Sequence, residues 1–262
     1  MRLNYFEIHL TDHCNLNCQS CDNFSSISEE FYLDEASFDS DFERLSLLAK
    51  DRIGMLRMLG GEPLLHPNIV YFLKTARKYF QSAEIRLTTN GIKLSTMPAE
   101  FWLACMANNI TIEITFYPIN INIEKINQIA QGYNVRVIPF NNTPVAEKLS
   151  HRNPVNDKKD QDIVSNFRKC YQVGRCMSLK AGKIYPCTCI PNICHFNKFF
   201  NKNLEVTEKD CIDIYKVNDV SEIESFLNNP VPFCAYCNVS RRTGGKKWAV
   251  TQKDIFEWFD EN

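Results

Sequence analysis

The sequence predicts an α/β protein: a partial (β/α) barrel of about five or six parallel strands, followed by a small cysteine-rich hairpin-plus-helix unit. Three observations predict it. Strand-like and helix-like segments alternate through roughly the first 140 of 262 residues. Turn-forming or polar segments follow the strands. Eight of the twelve cysteines gather between residues 170 and 237, beyond the alternating region.

Each element has a local reason. Tyr5 to Leu10 (YFEIHL) alternates apolar and polar residues, as a half-buried strand does. Residues 35–49 place Phe38, Phe42, Leu45 and Ala49 on one helical face. Arg52 to Leu59 reads as the second strand. Pro67 opens a helix carrying Ile69, Phe72, Leu73, Ala76 and Phe80; in the first turn its missing N–H costs little. Glu84 to Thr89 is the third strand, residues 98–108 a helix, and Ile110 to Phe116 a β-branched fourth strand. Residues 123–131 form a short helix and Val135 to Phe140 a fifth strand. Residues 141–162 are rich in Asn, Pro and charge and read as a connector. Met177 to Lys180 and Lys183 to Tyr185 flank Ala181-Gly182 as a hairpin. Ser221 to Asn228 reads as a helix with a Ser221–Glu224 capping box, and Thr251 to Asp260 as a terminal amphipathic helix. The barrel is assigned to residues 1–145, the connector to 146–169 and the second unit to 170–262.

Composition narrows the function. Thirty Lys+Arg against 31 Asp+Glu favours neither a nucleic-acid coat nor an anionic membrane surface. No basic-then-apolar leader opens the sequence and no run of about 18 apolar residues occurs, so a cytoplasmic protein without membrane association is expected. The 44% apolar content suffices to fold without disulfide staples. Twelve cysteines then suggest metal chemistry.

Cys14, Cys18 and Cys21 directly follow the first strand. Three thiolates on a four-iron cubane leave one iron open, whereas structural zinc takes four ligands; His13 keeps a zinc reading open. Gly60-Gly61-Glu62-Pro63 follows the second strand, Thr89-Asn90-Gly91 the third, and Thr115 lies near the end of the fourth. In a β/α barrel these strand ends share the face where active sites form. Glycines there let backbone approach a ligand closely, so Gly61→Val is expected to weaken ligand binding and leave a cluster in place. The plainer readings are a strand-to-helix turn for Gly60–Pro63 and strand packing for Thr89 and Thr115. His66 reads as a helix-entry residue, and His9 and Cys105 as packed core residues. Arg241 to Lys247 (RRTGGKK) reads as a solvated basic loop, with an anion site as the alternative.

On these residues the chain resembles the radical S-adenosylmethionine (radical SAM) superfamily, with Cys14, Cys18 and Cys21 as its C-x3-C-x2-C motif. The resemblance implies an open-iron [4Fe–4S] cluster on those cysteines. It places S-adenosylmethionine against Gly60, Gly61, Glu62, Pro63, Thr89, Asn90 and Thr115. One departure is Ser20: the family usually has an aromatic residue before the third cysteine, so the adenine contact is expected from Phe24 or backbone. The pattern Cys170-x11-Gly182-x4-Cys187, followed by Cys234-Ala-Tyr-Cys237, is similar to the Twitch domain, the short form of SPASM. That similarity implies a second, auxiliary [4Fe–4S] cluster on Cys170, Cys187, Cys234 and Cys237. Cys176 competes for the first position, and zinc remains an alternative at this site.

The resemblance implies reductive cleavage of S-adenosylmethionine to a 5′-deoxyadenosyl radical, with hydrogen abstraction from a C–H bond. A carbohydrate-like small molecule is the expected substrate, oxidised with the auxiliary cluster's help. An external donor such as flavodoxin or ferredoxin is the expected redox partner. Epimerisation, with Cys176, Cys189, Cys194 or Cys211 as hydrogen donor, is an alternative, as is peptide modification, although no leader-binding domain is expected before Tyr5. A non-catalytic iron–sulfur or zinc adaptor is the rival of another class. Gly60–Pro63 argues against it. No catalytic base is identifiable.

Overall fold

The computed structural model describes residues 3–49, 52–142 and 148–261. The first half alternates as expected: β1 (Tyr5–Thr11), α1 (Glu35–Ala49), β2 (Met55–Gly60), α2 (Ile69–Tyr79), β3 (Glu84–Thr89), α3 (Ala99–Ala107), β4 (Ile110–Ile114), α4 (Ile123–Gly132) and β5 (Val137–Pro139). These five strands pair in parallel in the order β5-β4-β3-β2-β1. The second strand starts at Met55 rather than Arg52, because Gly54 turns against Asn4, whose carbonyl receives the Gly54 N–H at 3.0 Å. The fifth strand keeps only three residues and stops at Pro139, which has no N–H for a ladder.

Strand alternation separates two faces. Phe6, Ile8 and Leu10 of β1, Leu56 and Met58 of β2, and Ile85 and Leu87 of β3 join the core with Phe38, Phe42 and Phe72 from the helices. The opposite face is polar. Glu113 of β4 is fully buried there, with Arg57 Nε and Arg86 Nη1 each 2.8 Å away and Thr88 Oγ1 donating at 2.8 Å. Buried charges persist only when paired in this way.

The second half departs further from the sequence reading. The hairpin forms as β7 (Ser178–Lys180) and β8 (Lys183–Tyr185), turning through Ala181 and Gly182 at φ 51° and 69°. It is not a separate sheet. β7 pairs in parallel with β1, Glu7 against Ser178 and Ile8 against Leu179, and so becomes a sixth parallel strand. β8 and β9 (Ile212–Asp213) extend the sheet antiparallel. Within the expected connector lie β6 (Leu149–Arg152) and α5 (Ile163–Lys169), the latter capped by Asp162 accepting from Val164 and Ser165 N–H at 2.9 Å. Residues 143–147, where the barrel range meets the connector, lie outside the described residues. The basic segment is a strand rather than a loop: β10 (Thr243–Lys247) pairs antiparallel with β6.

Helix α6 (Cys189–Phe200) directly follows the hairpin, in the unit expected to be hairpin plus helix, where the sequence reading gave no bounds for it. Ile190, Ile193 and Phe196 form its buried face. In α7 (Val220–Leu227) the capping box is Asp219–Glu222, two residues before Ser221–Glu224. The terminal helix is replaced by a single 3-10 turn, Ile255–Glu257. Tertiary partners claim that segment instead: Trp258 Nε1 donates to Cys21 O at 3.0 Å, and Glu257 accepts from Ser20 N–H at 3.3 Å. A second core follows, joining Phe24 and Ile27 to α6, Trp258 and Phe259. Among the described residues no helix is long and apolar enough to cross a membrane.

Candidate active site

The site begins where β2 meets the segment after β1. Gly61 N–H donates to Thr11 O at 2.9 Å, Glu62 N–H to His13 O at 3.0 Å, and Thr11 Oγ1 to Glu62 O at 3.0 Å. A Cβ at Gly61 would overlap the His13 carbonyl, and one at Gly60, where φ is +148°, the Thr11 carbonyl. The glycines therefore seat one backbone on another, and the space that a side chain would occupy belongs to the cysteine loop rather than to a ligand. Pro63 opens a 3-10 turn. The Glu62 carboxylate accepts from Thr89 Oγ1 at 2.6 Å, Asn90 N–H at 2.9 Å and Leu64 N–H at 3.1 Å. Burial still pushes that carboxyl up to about 7. Glu62 is thus a clasp between β2 and β3. Asn90 Nδ2 reaches on to Asn15 Oδ1 at 2.8 Å and lies 3.8 Å from Cys14 Sγ, so the end of β3 is tied to the cysteine loop. Thr115 N–H bonds Thr89 O at 2.9 Å. His66 ties Leu33 O and Asn68 N–H at a helix entry, and His9 is buried against Thr188 and Asn192, its imidazole pushed down to about 3 by burial and Lys180.

These strand ends surround a cavity of about 240 Å³. Cys14, Cys18, Cys21, Gly60, Thr89 and Thr115 all line it. Burial pushes the Cys18 thiol up to about 11 and those of Cys14 and Cys21 upward as well. Buried thiolates need a cation to hold them ionised. The indole N–H of Trp248 and the Tyr117 hydroxyl face Cys18 and oppose the effect of its burial. Among the described residues no three His, Cys, Asp or Glu side chains converge as a single metal ion requires. A cubane spreads its thiolates over separate irons, so three half-buried thiols lining one open cavity fit an open-iron cluster. Ser20 sits at φ 53° with its N–H on Glu257 at 3.3 Å. Phe24 is no adenine contact: it is buried in the second core beside Phe196 and Trp258. The aromatic residues that do line the cavity are Tyr117, Phe140 and Trp248.

Two further cavity residues, Glu7 and Lys148, went unrecognised in the sequence. Glu7 projects from β1, where alternation gave it the polar face, and Tyr5 Oη donates to its Oε1 at 2.5 Å. Burial pushes the Glu7 carboxyl up to about 7, with Arg57 opposing. Lys148 lines the same cavity. So does Cys176, just ahead of β7; of the four spare cysteines it is the one placed here.

A second enclosed space, of about 30 Å³, is lined by Cys170, Cys187, Cys234, Cys237 and also Cys189. Cys187 precedes α6, whose Cys189 and Ile190 N–H groups donate to its sulfur. Asn166 Nδ2 donates to the carbonyls of Cys234 and Cys237 at 2.9 and 2.5 Å. Cys170 accepts from Arg242 Nη2 at 3.2 Å. Cys105 is buried in α3 within the main core.

A partial parallel barrel with three cysteines and a glycine-rich turn at the strand ends defines an enzyme built around an open-iron cluster. The chain belongs to the radical SAM superfamily, whose family model matches residues 8–138, half of its length. A GTP 3′,8-cyclase from Peptoclostridium acidaminophilum is 24% identical over 94% of this chain and 79% of its own length. One from Trichodesmium erythraeum is 32% identical over 42% of this chain, which spans only 35% of that relative. The solved structure of BtrN in complex with AdoMet and 2-DOIA shares the fold at a TM-score of 0.55 and 17% identity, covering 91% of this chain and 94% of that one. Native anSMEcpe with bound AdoMet gives 0.50 at 12% identity, covering 88% and 83%.

Proposed function

We propose that this radical SAM enzyme oxidises a polar, carbohydrate-like small molecule, passing one electron to an auxiliary [4Fe–4S] cluster on Cys170, Cys187, Cys234 and Cys237. One observation carries the reading: two groups of thiols line two separate spaces, and Cys176 stands near both. Cys14, Cys18 and Cys21 line the polar cavity, and Cys176, which also lines it, lies near enough to Cys187 of the second group to feel its charge. Glu7, Asp22, Asn23, Lys148 and Ser150 give the cavity hydrogen-bonding capacity for hydroxyl groups.

When bound, the first cluster with S-adenosylmethionine supplies a 5′-deoxyadenosyl radical, and the auxiliary cluster supplies an electron acceptor. Asn90 and Glu62 hold the strand ends against the cysteine loop and so fix the cavity's geometry. Oxidation of a substrate H–C–OH group to C=O would release one proton, besides the hydrogen atom and the electron that the two bound groups would take, and that proton needs a base of this chain. Glu7 is that base. Its carboxyl lies in the cavity, is steadied by Tyr5 Oη, and has a proton affinity suited to transfer near neutral pH. A flavodoxin- or ferredoxin-type donor provides the electron that starts each turnover.

The test is anaerobic reconstitution with iron and sulfide counting, then assay with aminocyclitols, sugars and GTP. About eight irons, with deoxyadenosine formed and a cyclitol or sugar product lighter by two hydrogens, is expected. Zinc in place of iron would overturn the reading. A second reading, nucleotide cyclisation, is raised by the GTP 3′,8-cyclase relatives; consumption of GTP without net oxidation would establish it instead.

A further inference from the structure

We propose that Arg242 sets the reduction potential of the auxiliary cluster by donating its Nη2–H to the Cys170 thiolate. The inference rests on the reading that Cys170, Cys187, Cys234 and Cys237 hold that cluster. In the run Arg241 to Lys247, Arg242 is half-buried, while Arg241, Lys246 and Lys247 are exposed. Its Nη2 lies 3.2 Å from Cys170 Sγ. Its guanidinium stacks over the Tyr171 ring at 4.4 Å. Tyr171 is itself anchored, donating from Oη to Asp22 at 2.9 Å and accepting from Asn153 Nδ2 at 3.0 Å. The pairing of Thr243 with Arg152 fixes the backbone next to it. The cation is therefore held against one sulfur by contacts on several sides.

Reduction adds a negative charge to a cluster. A fixed cation that donates a charge-assisted hydrogen bond to a ligand sulfur favours the reduced form and raises the potential. A second feature acts in the same direction: the first N–H groups of α6 point at Cys187 Sγ, where the helix dipole favours negative charge. Both features suit a centre that receives an electron. An electron acceptor needs this bias, and a purely structural cluster does not.

The test uses the full chain carrying both clusters, with no substrate, in potentiometric titrations followed by electron paramagnetic resonance. Arg242→Gln should lower the midpoint of the auxiliary cluster and leave that of the Cys14–Cys18–Cys21 cluster unchanged. Arg242→Lys, which keeps the charge and loses the planar fork, should fall between. Arg241→Gln, at an exposed neighbour, should match wild type. Eight irons in Arg242→Gln with an unmoved midpoint would overturn the assignment. Where Arg242→Gln sheds the auxiliary cluster, Arg242→Lys decides, and a midpoint equal to wild type overturns it. Only four irons in wild type would remove the two-cluster reading itself, and this assignment with it.

Discussion

Glu7 and Glu62 are buried carboxyls pushed to the same degree and given different work. Both oxygens of Glu62 are engaged by hydrogen bonds at the strand ends, whereas Glu7 lines the cavity with one oxygen held by Tyr5. The groups acting on Glu7 come from several elements: Tyr5 beside it, Arg57 and Glu113 across the sheet, Asp22 from the cysteine loop and Cys176 ahead of β7. Its carboxyl titrates near 7 when folded against 4.5 ordinarily, so the stability it contributes is complete below about 4.5 and is lost as pH rises through about 7. Glu7→Gln should match wild type in thermal stability at pH 5. At pH 8 it should exceed wild type by on the order of 1–3 kcal/mol. An unchanged difference between the two pH values would show that Glu7 ionises normally. The cysteines give a sharper test. Replacing Cys14, Cys18 and Cys21 with Ala should abolish deoxyadenosine formation and retain about four irons, since the other thiols lie in a separate enclosed space. Deoxyadenosine from that triple variant would sink the assignment.

The glycine-rich turn acts as part of an element, and here the structure changes an expectation. Sequence reasoning assigned Gly60 and Gly61 to ligand approach. The missing side chains instead admit the carbonyls of Thr11 and His13. Gly61→Ala should therefore push the cysteine loop away, at a cost of roughly 1–3 kcal/mol. It should lower iron at the first site together with S-adenosylmethionine binding; calorimetry showing lost binding on a full complement of iron would restore the ligand reading. The alternation of Phe6, Ile8 and Leu10 with Tyr5, Glu7 and His9 made β1 legible, and the spacing of Phe38, Phe42 and Leu45 did the same for α1. The strand-end residues were legible because each follows such a segment. The bounds of helix α6 were not, because cysteines, Pro191 and Asn192 interrupt the apolar period over Cys189–Phe200. The absent terminal helix failed for the opposite reason. Its pattern was adequate, but Trp258 and Phe259 are claimed by a core assembled from distant segments. Glu7 escaped notice because an acidic residue on a strand looks like an exposed one until the facing strands are known.

At the scale of the whole molecule, the sequence reading drew a boundary near residue 146 that the packing does not respect. β7 lies against β1 in the parallel sheet, and Glu7 N–H donates to Met177 O at 2.8 Å. Met177, Leu179, Ile184 and Ile214 belong to the same core as Phe6 and Ile8. The C-terminal segment also covers the cysteine loop: Gln19 N–H bonds Ala249 O at 2.9 Å, and Thr251 N–H bonds Asn17 O at 3.0 Å. Two thiol sites separated by some 150 residues of sequence are thereby built into one body, as the proposed passage of an electron between the cavity and the second site would demand. A chain ending at Lys169 would expose the edge of β1 and uncover its core face. An open hydrophobic strand edge of that kind pairs with other chains. The truncated chain should therefore aggregate on expression and, when refolded with iron and sulfide, fail to hold the Cys14–Cys18–Cys21 cluster. The Cys234→Ala/Cys237→Ala variant of the full chain separates loss of the proposed second cluster from loss of the second half of the fold. With β7 and the C-terminal segment still in place, it should keep the first cluster and continue to release deoxyadenosine from S-adenosylmethionine. A monomeric 1–169 fragment by light scattering, holding about four irons, would show that the first half is an independent domain and that the β1–β7 pairing is dispensable.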